Sequence, residues 1–246
     1  MKIIKKIFLG LLVTVFLIAV GFSVWAYSPA KPMQAALDSV RTAEIVKINT
    51  QSVLAFFPAQ AEPHTGIIFY PGGRVDYRAY APFADALSKK GFLVVVPRMP
   101  FNLAVFDYKA AKPIIKQFPS IEHWVIGGHS LGGSMAAHYL FENQDEIDGL
   151  LLIASYPAAG DNLTNYSGSV TSVSATVDGL ATADDIAASK LLLPSATSFV
   201  LINGGNHAQF GWYGDQPGDN PATISREEQQ AQLIQATIGL LDSIGK

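Results

Sequence analysis

An α/β architecture is predicted: a mostly parallel sheet with helices on both faces, preceded by an N-terminal transmembrane helix. Three observations predict it. Short runs such as Gly66–Tyr70, Phe92–Val96 and Gly149–Ala154 are apolar at nearly every position, as strands buried on both faces require. Longer helical patterns separate these runs, so successive strands can lie parallel, joined by crossover helices. From Ile7 to Ala30 there is no charged residue, and Ile7–Tyr27 alone spans 21 positions. About 20 apolar residues suffice for a helix to cross a bilayer core.

The chain has 246 residues, 49% of them hydrophobic and 15% charged, with a net charge of −3. This is too apolar for a disordered chain and too poor in charge for a nucleic-acid binder. The absence of cysteine excludes a disulfide framework, a thiolate metal site and a cysteine nucleophile. Lys2, Lys5 and Lys6 precede the apolar run, while Trp25 and Tyr27 close it at the headgroup level. The run is longer than the roughly 7–15 apolar residues of a cleaved signal, so an uncleaved anchor is expected. Its lysines keep the N-terminus in the cytoplasm and send the rest outward. Secretion after cleavage near Tyr27 or Lys31 is the alternative. Residues 1–30 are thus expected to form the membrane segment and 31–246 one domain with a substantial core and a net charge of −6, with Ser28–Pro32 as a short stalk.

The elements follow in order. Glu44–Asn49 and Ser52–Phe57 are β-rich and fit an edge hairpin. Gly66–Tyr70 is a buried strand closed by Pro71-Gly72-Gly73. Tyr77–Lys90 has a helical pattern stopped by Gly91, and Phe92–Val96 is a strand ended by Pro97. Leu103–Phe118 is expected as a helix kinked at Pro113. Trp124–Gly127 is a strand and Leu131–Glu142 a helix. Gly149–Ala154, Val170–Thr176 and Phe199–Ile202 are strands, Ala183–Leu193 is a helix, and Arg226–Ile244 is a terminal amphipathic helix. In such sheets chemistry sits at the carboxyl ends of the strands.

One of those ends carries Gly128-His129-Ser130-Leu131-Gly132-Gly133, a G-x-S-x-G between a strand and a helix. Small flanking residues let strand and helix approach closely and present the serine hydroxyl at a helix N-terminus, where developing negative charge is favoured. On the stretches at 127–133 and 70–73 and on the order of elements, residues 40–246 resemble the α/β-hydrolase superfamily. The compact branch of dienelactone-hydrolase-like and small carboxylesterase-like enzymes is the most similar. Dienelactone hydrolases proper place cysteine at the elbow, so Ser130 argues against a lactone substrate while leaving acyl transfer intact.

The resemblance implies a base and an acid following Ser130 in the order serine, acid, histidine. Of five histidines only His207 follows the elbow at a distance, in a loop just past the Phe199–Ile202 strand. His64, His123, His129 and His138 are assigned packing or surface roles. Asp178 directly follows a strand and is the expected acid, with Asp184, Asp185 and Asp161 as rivals. The oxyanion donors implied are the amides of Leu131 and Gly73, with Arg74 as fallback for the latter.

Only 14 residues, Tyr156–Ser169, separate two strands where larger relatives carry a lid, so the pocket should be open. Residues 208–221 mix aromatics with glycine and aspartate and either line the pocket or orient His207. The expected function is a serine hydrolase of carboxylic esters working through an acyl-enzyme, on a small-molecule acyl substrate. No metal, organic cofactor or nucleic acid is implied. A peptidase or amidase on the same triad, or a non-catalytic cell-surface binding protein, are the alternatives.

Overall fold

The structure, a computed structural model, describes residues 2–49, 51–60 and 62–244. It opens with helix α1 (Lys2–Ala26), whose stretch Ile4–Ala26 is long and apolar enough to cross a membrane and is not buried by the rest of the chain. It has no polar stripe to set against water, which distinguishes it from a surface helix. A short helix α2 (Gln34–Ser39) follows.

Among the described residues the sheet has eight strands: β1 (Glu44–Ile48), β2 (Gln51–Phe56), β3 (Thr65–Tyr70), β4 (Leu93–Pro97), β5 (His123–His129), β6 (Gly149–Ile153), β7 (Ser169–Ala175) and β8 (Ser198–Ile202). Their spatial order is β1-β2-β4-β3-β5-β6-β7-β8. β1 and β2 form an antiparallel hairpin at the edge, β2 meets β4 antiparallel, and the remaining pairs are parallel. The helices are α3 (Ala81–Ser88), α4 (Ala111–Gln117), α5 (Leu131–Glu142), α6 (Ala183–Ser189) and α7 (Arg226–Leu241).

Alternation along the central strands builds a core on each face. Ile67 and Phe69 of β3 pack with Phe83 and Leu87 of α3 and Leu233 of α7. Ile68 and Tyr70 of the same strand pack with Ile114 of α4 and Leu140 of α5. Each such fully buried side chain contributes about 1.5–3 kcal/mol, which is why a strand covered twice is apolar without a break.

Several boundaries differ from expectation. The helix expected over Leu103–Phe118 starts only at Ala111. Before it lie only two single turns of 3-10 helix, Ala104–Phe106 and Tyr108–Ala110, because Leu103 (φ −135°, ψ 112°) and Asp107 (φ −156°, ψ 58°) have backbone that no α-helix can include. Pro113 then falls in the first turn of α4, where its missing N–H costs nothing. The expected helix Tyr77–Lys90 begins with a separate 3-10 turn, Tyr77–Tyr80. α6 ends at Ser189 and gives way to a 3-10 turn, and α7 stops at Leu241 rather than Ile244. Ser28–Pro32, expected as a stalk, is pinned to the body: Ala30 bridges to Val75 and Pro32 to Tyr213.

Candidate active site

β5 runs straight into the tight turn at Ser130. Two glycines make that turn possible. A β-carbon on Gly132 would lie 2.2 Å from the Tyr70 carbonyl oxygen, and one on Gly128 would lie 2.5 Å from the Gly132 main chain. A side chain at Gly132 would force α5 away from β3, and one at Gly128 would force it away from β5. Ser130 itself sits at φ 53°, ψ −124°, a region that costs a non-glycine residue about 1–3 kcal/mol and persists only when its surroundings over-determine it. They do: the Ser130 amide donates to the Ile153 carbonyl (2.9 Å), and its own carbonyl accepts from Ser155 Oγ (2.7 Å) and the Ser134 amide (3.1 Å).

Ser130 and His207 line one cavity of about 290 Å³, together with Leu131, Ser134, Ala154, Ser155, Tyr156, Leu180 and Ala181. Tyr156 and Leu180 are partly exposed at its mouth. No helix covers it from residues 154–168. His207 is buried, and its Nδ1 lies 2.9 Å from Asp178 Oδ2 and 3.1 Å from Oδ1. Asp178 Oδ1 also accepts the Leu180 and Ala181 amides, each at 2.8 Å. With acceptor oxygens facing it, Nδ1 carries the ring proton, and Nε2 keeps its lone pair. Nε2 is buried without a hydrogen-bond partner among the described residues, the Ser130 hydroxyl included. In substrate-free enzymes such bonds are often long and tighten on binding.

The rival acids are committed elsewhere. Asp185 forms a capping box with Thr182 at the start of α6, beside Asp184, and Asp161 pairs with His138 Nδ1 at 2.9 Å. The candidate oxyanion donors sort in the same way. The Arg74 amide is spent on the Asn102 carbonyl (2.8 Å) and the Gly72 amide on the Tyr80 hydroxyl (3.0 Å). Gly73 lies between them against Leu131, whose Cδ2 is 3.1 Å from where a Gly73 β-carbon would sit. The two residues expected to hold the oxyanion are therefore neighbours across the turn.

One contributor escaped the sequence reading. Asp219 accepts from the amides of His207 (3.2 Å), Ala208 (2.8 Å) and Gly179 (3.1 Å), tying the histidine loop to the Asp178 loop. Its Gly-Asp-Asn-Pro setting signals only a turn. His129, expected to pack or hydrogen-bond nearby, does both: its ring centroid lies 4.5 Å from that of His207, and its Nδ1 meets the Tyr80 hydroxyl at 2.8 Å. Full burial, and secondarily the positive charge His207 can carry, hold His129 well below the usual imidazole range, so it stays neutral. In the 208–221 loop, Phe210 and Tyr213 are fully buried and none of the aromatics lines the Ser130 cavity. The loop supports His207 from beneath.

A profile of the Alpha/beta hydrolase family matches residues 66–231. No curated protein sequence matches the chain. Among solved structures it is similar to a putative dienelactone hydrolase from Klebsiella pneumoniae, with a TM-score of 0.63 at 13% identity, over 82% of this chain and 98% of that one. Est1E of Butyrivibrio proteoclasticus, with ferulic acid bound, gives 0.62 at 11% identity over 82% and 100% of the two chains. Esterase 2 of Thermogutta terrifontis, phosphorylated by paraoxon, gives 0.59 at 15% identity over 82% and 96%. At these identities the structural likeness is one of fold, and the profile match carries the family assignment. It runs from β3 into α7, well over half of the sequence, and the chain belongs to the alpha/beta hydrolase family and is a hydrolase.

Proposed function

We propose that the protein is a membrane-anchored serine hydrolase that cleaves carboxylic esters through an acyl-enzyme. The observation that carries this reading is the buried His207–Asp178 pair on the cavity that also holds the strained Ser130. Ser130 Oγ attacks the ester carbonyl carbon while its proton passes to His207 Nε2. Asp178 holds the imidazole tautomer and stabilises the imidazolium that forms. The Leu131 and Gly73 amides hold the oxyanion of the tetrahedral intermediate. Collapse breaks the bond to the alkoxy group, which leaves as the alcohol with the proton from Nε2. Water, deprotonated by the same nitrogen, then attacks the acyl carbon; the acyl–Oγ bond breaks as Nε2 returns that proton to Oγ, releasing the acid and free Ser130. An open cavity of about 290 Å³ holds the ester group itself and leaves the rest of the substrate outside it.

The anchor reading assigns residues 1–30 to the membrane segment and 31–246 to an extracytoplasmic catalytic domain. It is supported by contacts that signal cleavage near Tyr27 or Lys31 would discard: Asn102 Nδ2 donates to the Ala26 carbonyl (2.9 Å), and Phe22 packs on Phe101. Lys2, Lys5 and Lys6 orient the helix with its start in the cytoplasm. The test of the chemistry is p-nitrophenyl acetate hydrolysis by the full chain in detergent. Ser130→Ala should lower the rate by about 10³-fold or more. Turnover retained by Ser130→Ala overturns the assignment.

A further inference from the structure

Resting on the anchored-esterase reading, we infer that the active site faces the bilayer and takes as substrate an acyl ester of an amphiphile resident in the membrane surface. The end of α1 is not joined to the domain by a free tether. It is clamped to three loops, following β3, β4 and β8, and all three lie at the catalytic edge of the sheet. After β3, Arg74 donates from Nε to the Trp25 carbonyl (3.2 Å) and from a terminal nitrogen to the Ser28 carbonyl (3.0 Å). Its guanidinium also lies 4.3 Å from the centroid of the Trp25 ring. After β4, Phe101 packs on Phe22 and Tyr27 at centroid distances of 5.6 and 5.5 Å, and Phe106 on Phe22 at 6.1 Å. After β8, the Met33 amide donates to the Trp212 carbonyl (2.8 Å).

These contacts set a depth. Phe22 lies four residues, about 6 Å of helix, inside the Ala26 end of the apolar span. Phe106 touches Phe22 and shares its level. Phe106 and its neighbour Val105 are nonetheless 52% and 50% exposed by the protein itself. With α1 in a bilayer, that loop enters the headgroup–acyl boundary, where interfacial apolar side chains bury by about 5–10 Å. Trp25 and Tyr27, both exposed, stand at the same border, as interfacial aromatic rings do.

From there the path to the chemistry is short. Leu103, in the same loop, comes within 3.6 Å of the β-position of Gly73, and Gly73 abuts Leu131, the residue next to Ser130. A cleft of about 530 Å³ lies between Ser28–Ala30 at the foot of α1 and Gly73–Val75 of the oxyanion loop. An ester group raised slightly from the boundary can reach Ser130 with its chain still in lipid, so the cost of exposing a long acyl chain to water is never incurred.

The test uses the full chain in phosphatidylcholine vesicles. The absence of cysteine lets a single Val105→Cys carry an environment-sensitive fluorophore, with Leu191→Cys, 80% exposed and just before β8 at the opposite edge of the sheet, as reference. Nitroxide-labelled lipid should quench the probe at 105 several-fold more than the probe at 191, about what a 5–10 Å immersion gives. Equal quenching overturns the inference. Activity supplies a second arm, the ratio of turnover of p-nitrophenyl palmitate dissolved in the bilayer to that of p-nitrophenyl acetate. Val105→Asp should lower this ratio by about tenfold, and an unchanged ratio contradicts the inference. Failure of the unsubstituted chain to hydrolyse even the acetate sinks the esterase reading, which the quenching arm does not depend on.

Discussion

Asp178 shows how much one carboxylate does in this site. One of its oxygens accepts two main-chain amides, and together the two oxygens face His207 Nδ1. Asp178→Asn keeps a carbonyl oxygen for the loop amides but turns an N–H₂ group toward the ring. The imidazole then favours the tautomer with its proton on Nε2, useless as a base. The fold should survive while kcat for p-nitrophenyl acetate falls about 10³–10⁴-fold. Asp185→Asn and Asp184→Asn should stay within a few-fold of the unsubstituted rate, since they serve only the start of α6. A dead Asp185→Asn beside an active Asp178→Asn would move the acid.

His129 gives a pH dependence of stability. Its folded-state proton affinity is depressed by burial, so the unfolded chain takes up a proton below about pH 6.5 that the folded chain does not. Stability therefore falls as pH drops below that value, by up to about 1.4 kcal/mol per pH unit from this group. His129→Gln should lose stability less steeply between pH 6.5 and 5 in urea titrations. Parallel slopes for the two proteins would show that His129 does not hold this position.

Among elements, the elbow is the most constrained. Gly132 sits where a β-carbon would collide with two carbonyl oxygens, those of Tyr70 and Pro71, at 2.2 and 2.4 Å. Backbone cannot yield there without parting α5 from β3. Gly132→Ala should destabilise by about 3 kcal/mol or more, read as a lower unfolding midpoint with ester hydrolysis lost, whereas a native-like midpoint would mean the junction is looser than the contacts imply. The elbow was legible in the sequence because its constraint is local: a strand, two small residues and a helix in one stretch. The central strands were legible because burial on both faces leaves an unbroken apolar run. The segment 103–110 was not, since its helix is broken at Leu103 and Asp107, and Asp107 is held by a partner far along the chain, the Gln51 side-chain amide. α2 escaped for a related reason. It buries only Ala36 and has no apolar stripe to announce it.

At the scale of the whole molecule, α1 and the catalytic edge form one unit. Their contacts join residues 22–33 to 74–76, 101–106 and 212, and no local pattern encodes pairs so far apart. If α1 spans the bilayer, burial of its larger side chains, at about 1.5–3 kcal/mol each, makes insertion effectively irreversible. The full chain should stay with membranes through high-salt and carbonate washes, because salt weakens only the attraction of lysines to headgroups. Appearance in the medium of a mature form beginning near Tyr27 or Lys31 would contradict this. The central claim, that Ser130 is the nucleophile, is tested most directly by treating the detergent-solubilised full chain with a fluorophosphonate and locating the adduct by mass spectrometry. One adduct on Ser130, rising in step with the loss of ester hydrolysis, is the predicted result. An adduct on Ser134 or Ser155 instead, or hydrolysis that persists when Ser130 is fully modified, would contradict it.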